Sequence, residues 1–484
     1  MSANSEEIVQ HLFKNFESLL LFVQESSPAT VPNADAMERS IFKRLFELGR
    51  MLLQLYFSTQ NKLHVSETVA GKNNERLALH SNKETTYHSV FGKVKFSRRY
   101  YYRKGEGCIP LDAALNLPEC GASDLLREWR EKLCVHIPFD RARQILDEML
   151  GHKVSTRELK QDIAEDAQCL TDFYDQVEKP APVEGATILV LQADGKGIPL
   201  RQTTEAAKKA RKGKGEKTSC KKEAIVTSVY TLFPLLRTPF EVVNSLFERE
   251  KYSETSPKPC NKRLFATLNG KEEALSFTAK EAGRQQGSHI RSKVALTDGS
   301  EALQKRVQSQ FPDFTLVLDC IHAIEYLWKA ANVLKGETSP EREPWVKCRA
   351  LWMLSGQIPE LIDDLRKVAN DPIYSEPIRE KLLSVSNYFE RNRAYMRYDE
   401  YMAKGWPIAT GVIEGACRHL VKDRFELSGM RWNVDGAECM LGLRSVAENG
   451  DWENFQSYRR SRRQITLYGK TVSNLQASDI RIVA

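Results

Sequence analysis

The chain of 484 residues is long for one hydrophobic core and, at roughly 100–200 residues per domain, predicts three or four units. Apolar residues make up 41% and charged residues 28%, an ordinary soluble balance, and no apolar run reaches the roughly 20 residues of a membrane span. The net charge of +7 favours a polyanionic partner only weakly, because placement matters more than the total. MSANSEEIVQHLFKNFESLLLFVQ carries acids ahead of its apolar part and no small-residue cleavage site, the reverse of a secretory signal, so an intracellular protein is expected. The ten cysteines are scattered, without a Cys-x-x-Cys pair, and predict reduced thiols rather than a zinc site.

From Glu6 to Gln24 and from Ala36 to Phe57, apolar residues recur at helical spacing, as in Ile41, Leu45, Leu48, Leu52 and Leu55. Two amphipathic helices are predicted, packed on each other or on a second copy of the chain. TTYHSVFGKVKFSRRYYY then alternates around a glycine and reads as a hairpin. Six of the twelve residues in KVKFSRRYYYRK are basic and four aromatic, so Arg98 and Arg99 are candidate DNA-phosphate contacts, with a plain solvated face as the alternative. A helix from Phe139 to Leu150 ends at Gly151, and a second starts at Ser155, where Ser155 and Glu158 match a capping box. That pair predicts a helix-turn-helix presenting Thr156, Arg157, Lys160 and Gln161 to DNA; a plain helical hairpin has the same pattern. KPAPVEG, residues 179–185, reads as a linker.

After the linker the pattern turns to strands: TILVLQA, its partner GIPLRQT, then AIVTSVYTLF, KVALTD and TLVLD, with helices between the later ones. The expectation is an α/β domain, a mixed five-stranded sheet flanked by helices in RNase H-like order. Residues 323–407 are tryptophan- and tyrosine-rich and helical in pattern, an all-α insertion. A helix from about Thr410 to Leu427, ended by Gly429, closes the domain. The expected division is therefore 1–80 helical and a possible dimer surface, 81–120 basic hairpin, 121–180 helix-turn-helix, 181–322 and 408–450 catalytic, 323–407 insertion, and 451–484 a basic tail holding YRRSRR.

Three apolar strands each end in an aspartate: Asp194, Asp298 and Asp319. Groups at strand ends of an α/β sheet converge on one edge, and converging carboxylates repel unless a cation neutralises them. Oxygen donors with open positions suit Mg²⁺ or Mn²⁺, and a two-ion site would serve in-line attack on phosphorus. Any one of these aspartates could equally be a turn residue, as in ADGKG and TDGS. Glu414, between Gly411 and Gly415, is the late acidic candidate; its alternative is an i,i+4 pair with Arg418. RKGKGEKTS has no preceding strand and is split by Glu216, so it is a basic loop carrying Lys212 and Lys214 rather than a phosphate-binding P-loop.

LQADGKG, ALTDGSEALQKRVQSQFPDFTLVLDCIHAIEYLW and GVIEGACRHLVKDRFELSGMRW resemble, in order, the signature blocks of insertion-sequence DDE transposases of the ISKra group, relatives of Mutator-like transposases. FGKVKFSRRYYYRK and IPLDAALNLPE upstream are similar to that group as well, and the resemblance spans Thr86 to Glu448. It implies Asp194, Asp298 and Glu414 as catalytic and metal-binding residues, with two Mg²⁺ or Mn²⁺ ions. Asp319 and His322 in DCIH match an accessory element of the Mutator-like relatives; an ordinary helix-start histidine satisfied by Asp319 is the alternative. Arg418 is a further basic candidate on the closing helix, and Arg431 and Trp432 in GMRW offer a phosphate contact and a base-stacking surface, or else a buried anchor for the helix end. The resemblance further implies double-stranded element ends and target DNA as partners, a homo-oligomer, and a cytoplasmic, nucleoid-associated place in a bacterium. A structure-specific nuclease of the same fold and a domesticated, non-catalytic DNA-binding protein are the other readings.

Overall fold

The computed structural model describes residues 5–469 apart from 32, 64–65, 72–74, 120, 152, 202–220, 249–256 and 428. Two stretches distant in sequence, Met1–Cys169 and Trp452–Ala484, form one unit, and Leu170–Asp451 the other. No helix among the described residues is long and apolar enough to cross a membrane.

In the first unit, α1 (Ser5–Gln24) and α2 (Ala34–Leu63) run antiparallel, tied by Ser5 to Ser58 at 2.9 Å, Asn15 to Met51 at 3.5 Å, and the Arg44 guanidinium 4.3 Å over the Phe22 ring. Their apolar stripe is only partly used, since Leu45 and Leu52 stay half exposed. Strands β1 (Thr68–Ala70), β2 (Arg76–Ser89), β3 (Gly92–Arg103) and β4 (Glu106–Cys108) follow in an antiparallel sheet of that order. The β2–β3 turn is the expected hairpin around Gly92, whose φ of 109° only glycine adopts without strain. Phe57 of α2 stacks on Phe96 of β3 at 4.2 Å, which places the helix on the sheet.

Beyond the short α3 (Pro110–Ala114) come α4 (Asp124–His136), α5 (Phe139–Leu150) and α6 (Thr156–Ala167). Gly151 takes the left-handed cap, and Ser155 and Glu158 form the full capping box. The stretch expected to be a basic tail is instead, over Trp452–Tyr468, a helix folded into this unit. Arg459 and Arg463 meet Asp124 at 2.9 and 2.7 Å, and Arg459 meets Asp166 at 3.1 Å. Arg127 is buried among Glu131, Glu165 and Asp166 beside them. These carboxylates are why an arginine run can leave water: each buried guanidinium has a fixed counter-charge.

The second unit starts at α7 (Leu170–Gln176), ahead of the expected linker, because Leu170 fills the space over Gly442 and Tyr174 packs edge-on to Phe277 at 5.1 Å. Its sheet comprises β5 (Ile188–Pro199), β6 (Lys221–Leu232), β7 (Cys260–Thr267), β8 (Ser292–Thr297) and β9 (Thr315–Leu318), with α8 (Pro239–Phe247) between β6 and β7. The order is β7-β6-β5-β8-β9: β7, β6 and β5 are antiparallel, and β5, β8 and β9 parallel. The sheet is mixed and five-stranded as expected, but its membership differs. TILVLQA and GIPLRQT do not fold back on each other; they are one strand that runs straight through Gly195 and Gly197 and pairs with β6 along its length. The glycines do not turn the chain: Gly195 pairs with Ile225 and Gly197 with Glu223 in the unbroken β5–β6 ladder. The fifth strand is CNKRLFAT, whose mixed polarity hid it.

On one sheet face, α9 (Lys271–Gln285) and α10 (Glu301–Gln310) pack over Leu191, Ala193, Ala295 and Leu316. The other face shares one core with a helical segment, α11 (Cys320–Lys335), α12 (Arg342–Leu354), α13 (Ile358–Ala369), α14 (Glu376–Asn392) and α15 (Tyr398–Ala403). The next helix, α16, runs from Gly411 to Phe425 and widens to i→i+5 bonding over Cys417–Lys422. Then α17 (Val434–Glu448) lays Glu438 onto Thr267 and the Leu268 amide, both at 2.6 Å.

Asp124→Ala is expected to destabilise the first unit by about 3 kcal/mol, because two nearly buried guanidiniums lose their shared carboxylate. Burial raises the pKa of Asp124, but Arg463 and Arg459 outweigh it and hold the group below its ordinary 3.8. The stabilisation is therefore present above pH 3.8 and lost as pH falls through the lowered value. Thermal unfolding of both proteins across pH should show the difference closing there.

Candidate carboxylate site at the sheet edge

Strand register lines up the aspartates. Gln192 pairs with Leu296 and Thr297 with Leu318, so two residues on, Asp194 stands level with Asp298, and one residue on, Asp298 stands level with Asp319. Adjacent strands lie about 4.8 Å apart, so the row spans three neighbouring strands at the carboxyl edge of β8 and β9.

The three are not equivalent. Asp194 is half-buried; its Oδ1 accepts from the Gly195 amide at 2.6 Å and its Oδ2 from the Cys417 thiol at 3.4 Å. Burial pushes its pKa up, and the charge of Asp298 adds to this, against the lowering by its hydrogen bonds and by His322. Asp298 is half-buried and accepts from the Ser300 amide at 2.9 Å. Its turn is shaped by α14: Gly299, at φ 90°, has no room for a Cβ beneath Tyr388, and Arg391 donates to the Gly299 carbonyl at 3.0 Å. Asp319 is fully buried and engaged, capping α11 through the Ile321 amide at 2.7 Å and accepting from the Thr410 amide at 3.3 Å and the Thr410 hydroxyl. Its carboxylate thus holds chain rather than facing solvent.

Glu414 stands exposed on the first turn of α16. Partial desolvation raises its pKa first, followed by the charges of Asp319 and Asp194, with His322 opposing. The charge of Asp194 is thus felt by Glu414, that of Asp298 by Asp194, and His322 acts on both Asp194 and Glu414. His322 lies 3.6 Å from Glu325, not against Asp319. The alternative Glu414–Arg418 pair is not formed; Arg418 is exposed, 3.8 Å from Asp423.

Sequence reading missed what seats this helix. Gln192, fully buried inside ILVLQADG, accepts from the Ile413 amide at 2.9 Å and donates to the Tyr230 hydroxyl at 3.0 Å and toward the Ala409 carbonyl. Gln192 and Asp319 clamp the α16 start from two strands. A lone amide in an otherwise apolar strand was the available signal. Cys417, one turn beyond Glu414 and donating to Asp194, has no signal of its own, since by spacing it belongs to the helix's apolar face.

Oxygen donors from Asp194, Asp298 and Glu414 have the chemistry of a Mg²⁺ or Mn²⁺ site. Among the described residues, no three His, Cys, Asp or Glu side chains stand as a set around one ion. The Oδ1 atoms of both aspartates are engaged by backbone amides, that of Asp194 by Gly195 within β5 and that of Asp298 by Ser300 in the turn after β8, so the donors fit in kind and would have to converge as a cation binds.

The DNA-contact candidates divide. Arg157, Lys160 and Gln161 are exposed on α6, Gln161 bonding Glu165 at 2.8 Å. Arg99 is half-buried on β3, while Arg98 is spent on a short ion pair with Asp112 and is corrected to a packing role. Arg431 is exposed and bonds the Met430 carbonyl at 2.8 Å. Trp432 is buried, 4.7 Å from the Phe425 ring and 4.8 Å from the Arg424 guanidinium, and its amide donates to the Pro199 carbonyl at 3.0 Å. It anchors the end of β5 and offers no surface to a base. Lys212 and Lys214 lie outside the described residues.

No family model and no curated protein matches the chain. Among solved structures, the Drosophila P element transposase strand transfer complex is similar over 70% of this chain and 96% of that chain, at 10% identity and a TM-score of 0.31. A likeness that slight carries no functional argument, which leaves function to be read from the residues themselves.

Asp194→Asn is expected to raise the Tm of the protein in EDTA at pH 7, because a carboxylate with a raised pKa costs stability once it ionises. The penalty is absent below the ordinary 3.8 and complete above the raised value, so calorimetry across pH should show the gain vanish in acid.

Proposed function

We propose that the chain is a metal-dependent DNA transposase whose second unit is an RNase H-like catalytic domain interrupted by the helical segment α11–α15. What supports this reading is that Asp194 on β5 and Asp298 just after β8 stand level on neighbouring strands, with Glu414 on a helix whose start is clamped by Gln192 and Asp319. The strand order, three antiparallel then two parallel, supports the fold, and the sequence blocks that resemble ISKra-group transposases support the activity. Two Mg²⁺ or Mn²⁺ ions held by Asp194, Asp298 and Glu414 would supply an activated water or 3′-hydroxyl and counter-charge for the leaving oxygen.

The protein's own groups do the rest. The half-buried setting of Asp194 and its crowding by Asp298 favour cation binding, because a cation relieves the repulsion. His322 adds a positive or hydrogen-bonding group beside the carboxylates, suited to a phosphate oxygen. In the first unit, α6 would present Arg157, Lys160 and Gln161 to element ends, and a homo-oligomer would hold two ends together.

Asp194→Asn, Asp298→Asn and Glu414→Gln should each abolish Mg²⁺-dependent joining of labelled element ends to target DNA while leaving end binding intact. Normal joining by Glu414→Gln would remove that residue from the site, and cleavage without joining in the unaltered protein would make it a nuclease instead. For binding, Arg157→Ala with Lys160→Ala should weaken end affinity and reduce the salt slope by about two, at roughly 0.9 for each phosphate no longer neutralised. Titrations from low to high salt measure both.

A further inference from the structure

The β2–β3 hairpin changes character along its length. Near the turn, one face is covered: Val94 and Phe96 are buried and Arg98 is paired with Asp112. The same face continues along β3 to Tyr100 and Tyr102, where the cover ends. Their rings stack at 6.0 Å and 28°, and His80, at the register shift of β2, stands edge-on to both at 5.9 and 5.6 Å. Tyr102 is 40% exposed, His80 is exposed and Tyr100 half-buried. Gly107 on β4 makes the arrangement possible, because any Cβ there would fall on the Tyr100 hydroxyl; the ring lies across the strand instead of rising from it. The two tyrosine rings are near-parallel, His80 stands across their edge, and the glycine leaves room for them.

Cations frame it. Strand β3 carries Lys93, Lys95, Arg98, Arg99 and Arg103 and no acid. Arg98 and Arg103 are paired, the latter with Glu75 at 2.6 Å, while Lys93, Lys95 and Arg99 form no salt bridge with the described residues. The exposed Lys83 ammonium sits 3.5 Å over the Tyr100 ring. Such a contact is weaker than base–aromatic stacking, so a base can displace the lysine, which then reaches a backbone phosphate. Two near-parallel tyrosine rings with a displaceable lysine over one of them match the two parts of an unpaired nucleotide chain, and a duplex, with its bases stacked inside, can use only the cation.

We propose that Tyr100 and Tyr102, with His80 at their edge, form a stacking platform for unpaired bases of single-stranded DNA, with Lys83 on its backbone. The proposal does not rest on the transposase reading, since it concerns binding without metal or element ends. Anisotropy of a labelled 20-nucleotide oligo(dT) and of a 20-base-pair duplex, with the full chain in EDTA, tests it. Tyr100→Ala with Tyr102→Ala should lower oligo(dT) affinity about tenfold or more, the scale of one or two lost base stacks, and leave duplex affinity within about twofold. Tyr100→Phe with Tyr102→Phe, which keeps the rings, should bind both as the parent does. Failure of the parent to bind oligo(dT), unchanged oligo(dT) affinity in the alanine variant, an equal loss on duplex, or an equal loss in the phenylalanine variant would each overturn the platform. Circular dichroism shows that each variant is folded before it is scored.

Discussion

Glu414 reaches the sheet edge because two buried polar side chains, Gln192 and Asp319, have no water and must satisfy themselves on the backbone that opens α16. Gln192 takes the Ile413 amide and Asp319 the Thr410 amide and hydroxyl, so two amide groups at the helix start are fixed by side chains from two different strands. Leaving either polar group unpaired would cost about 1–3 kcal/mol, which makes the clamp self-enforcing. The position of the third carboxylate, and with it the whole candidate site, depends on those few bonds.

The helical segment between β9 and α16 has a related part. It shares its core with one face of the sheet, and α14 sends Tyr388 and Arg391 to the turn after Asp298 while Tyr398 donates to the Leu318 carbonyl at 3.0 Å. A segment of that length need not touch the site to matter; it shapes the loops that carry two of the three aspartates. Against this support, the carboxylates themselves are strained electrostatically, with Asp194 and Glu414 both pushed above their ordinary range.

Much of this was legible residue by residue. Helix boundaries at Gly151 and Ser155 follow from cap chemistry, which is local: a left-handed cap and a reciprocal side-chain bond need only four or five neighbouring residues. The apolar runs before Asp194, Asp298 and Asp319 announced strands and placed Asp298 and Asp319 at their ends, but β5 runs on past Asp194 to Pro199. Local chemistry misled at Gly195 and Gly197, where two glycines signal a turn as readily as a strand, and the choice lay with β6, which pairs with the chain from Ile188 through Pro199. It misled again at YRRSRR, where the arginines read as a tail because their partners, Asp124 and Asp166, lie almost three hundred residues or more away.

The sequence by itself determined the elements and the inventory of charged and aromatic groups, because capping, periodicity and strand propensity act over a few residues. Tertiary structure alone decided which of those groups meet: that Asp319 binds chain rather than solvent, that Trp432 is an anchor, that Arg98 is spent on Asp112 while Tyr100 lies open over Gly107. Burial and pairing are properties of contacts between distant residues, and no single stretch of chain contains them.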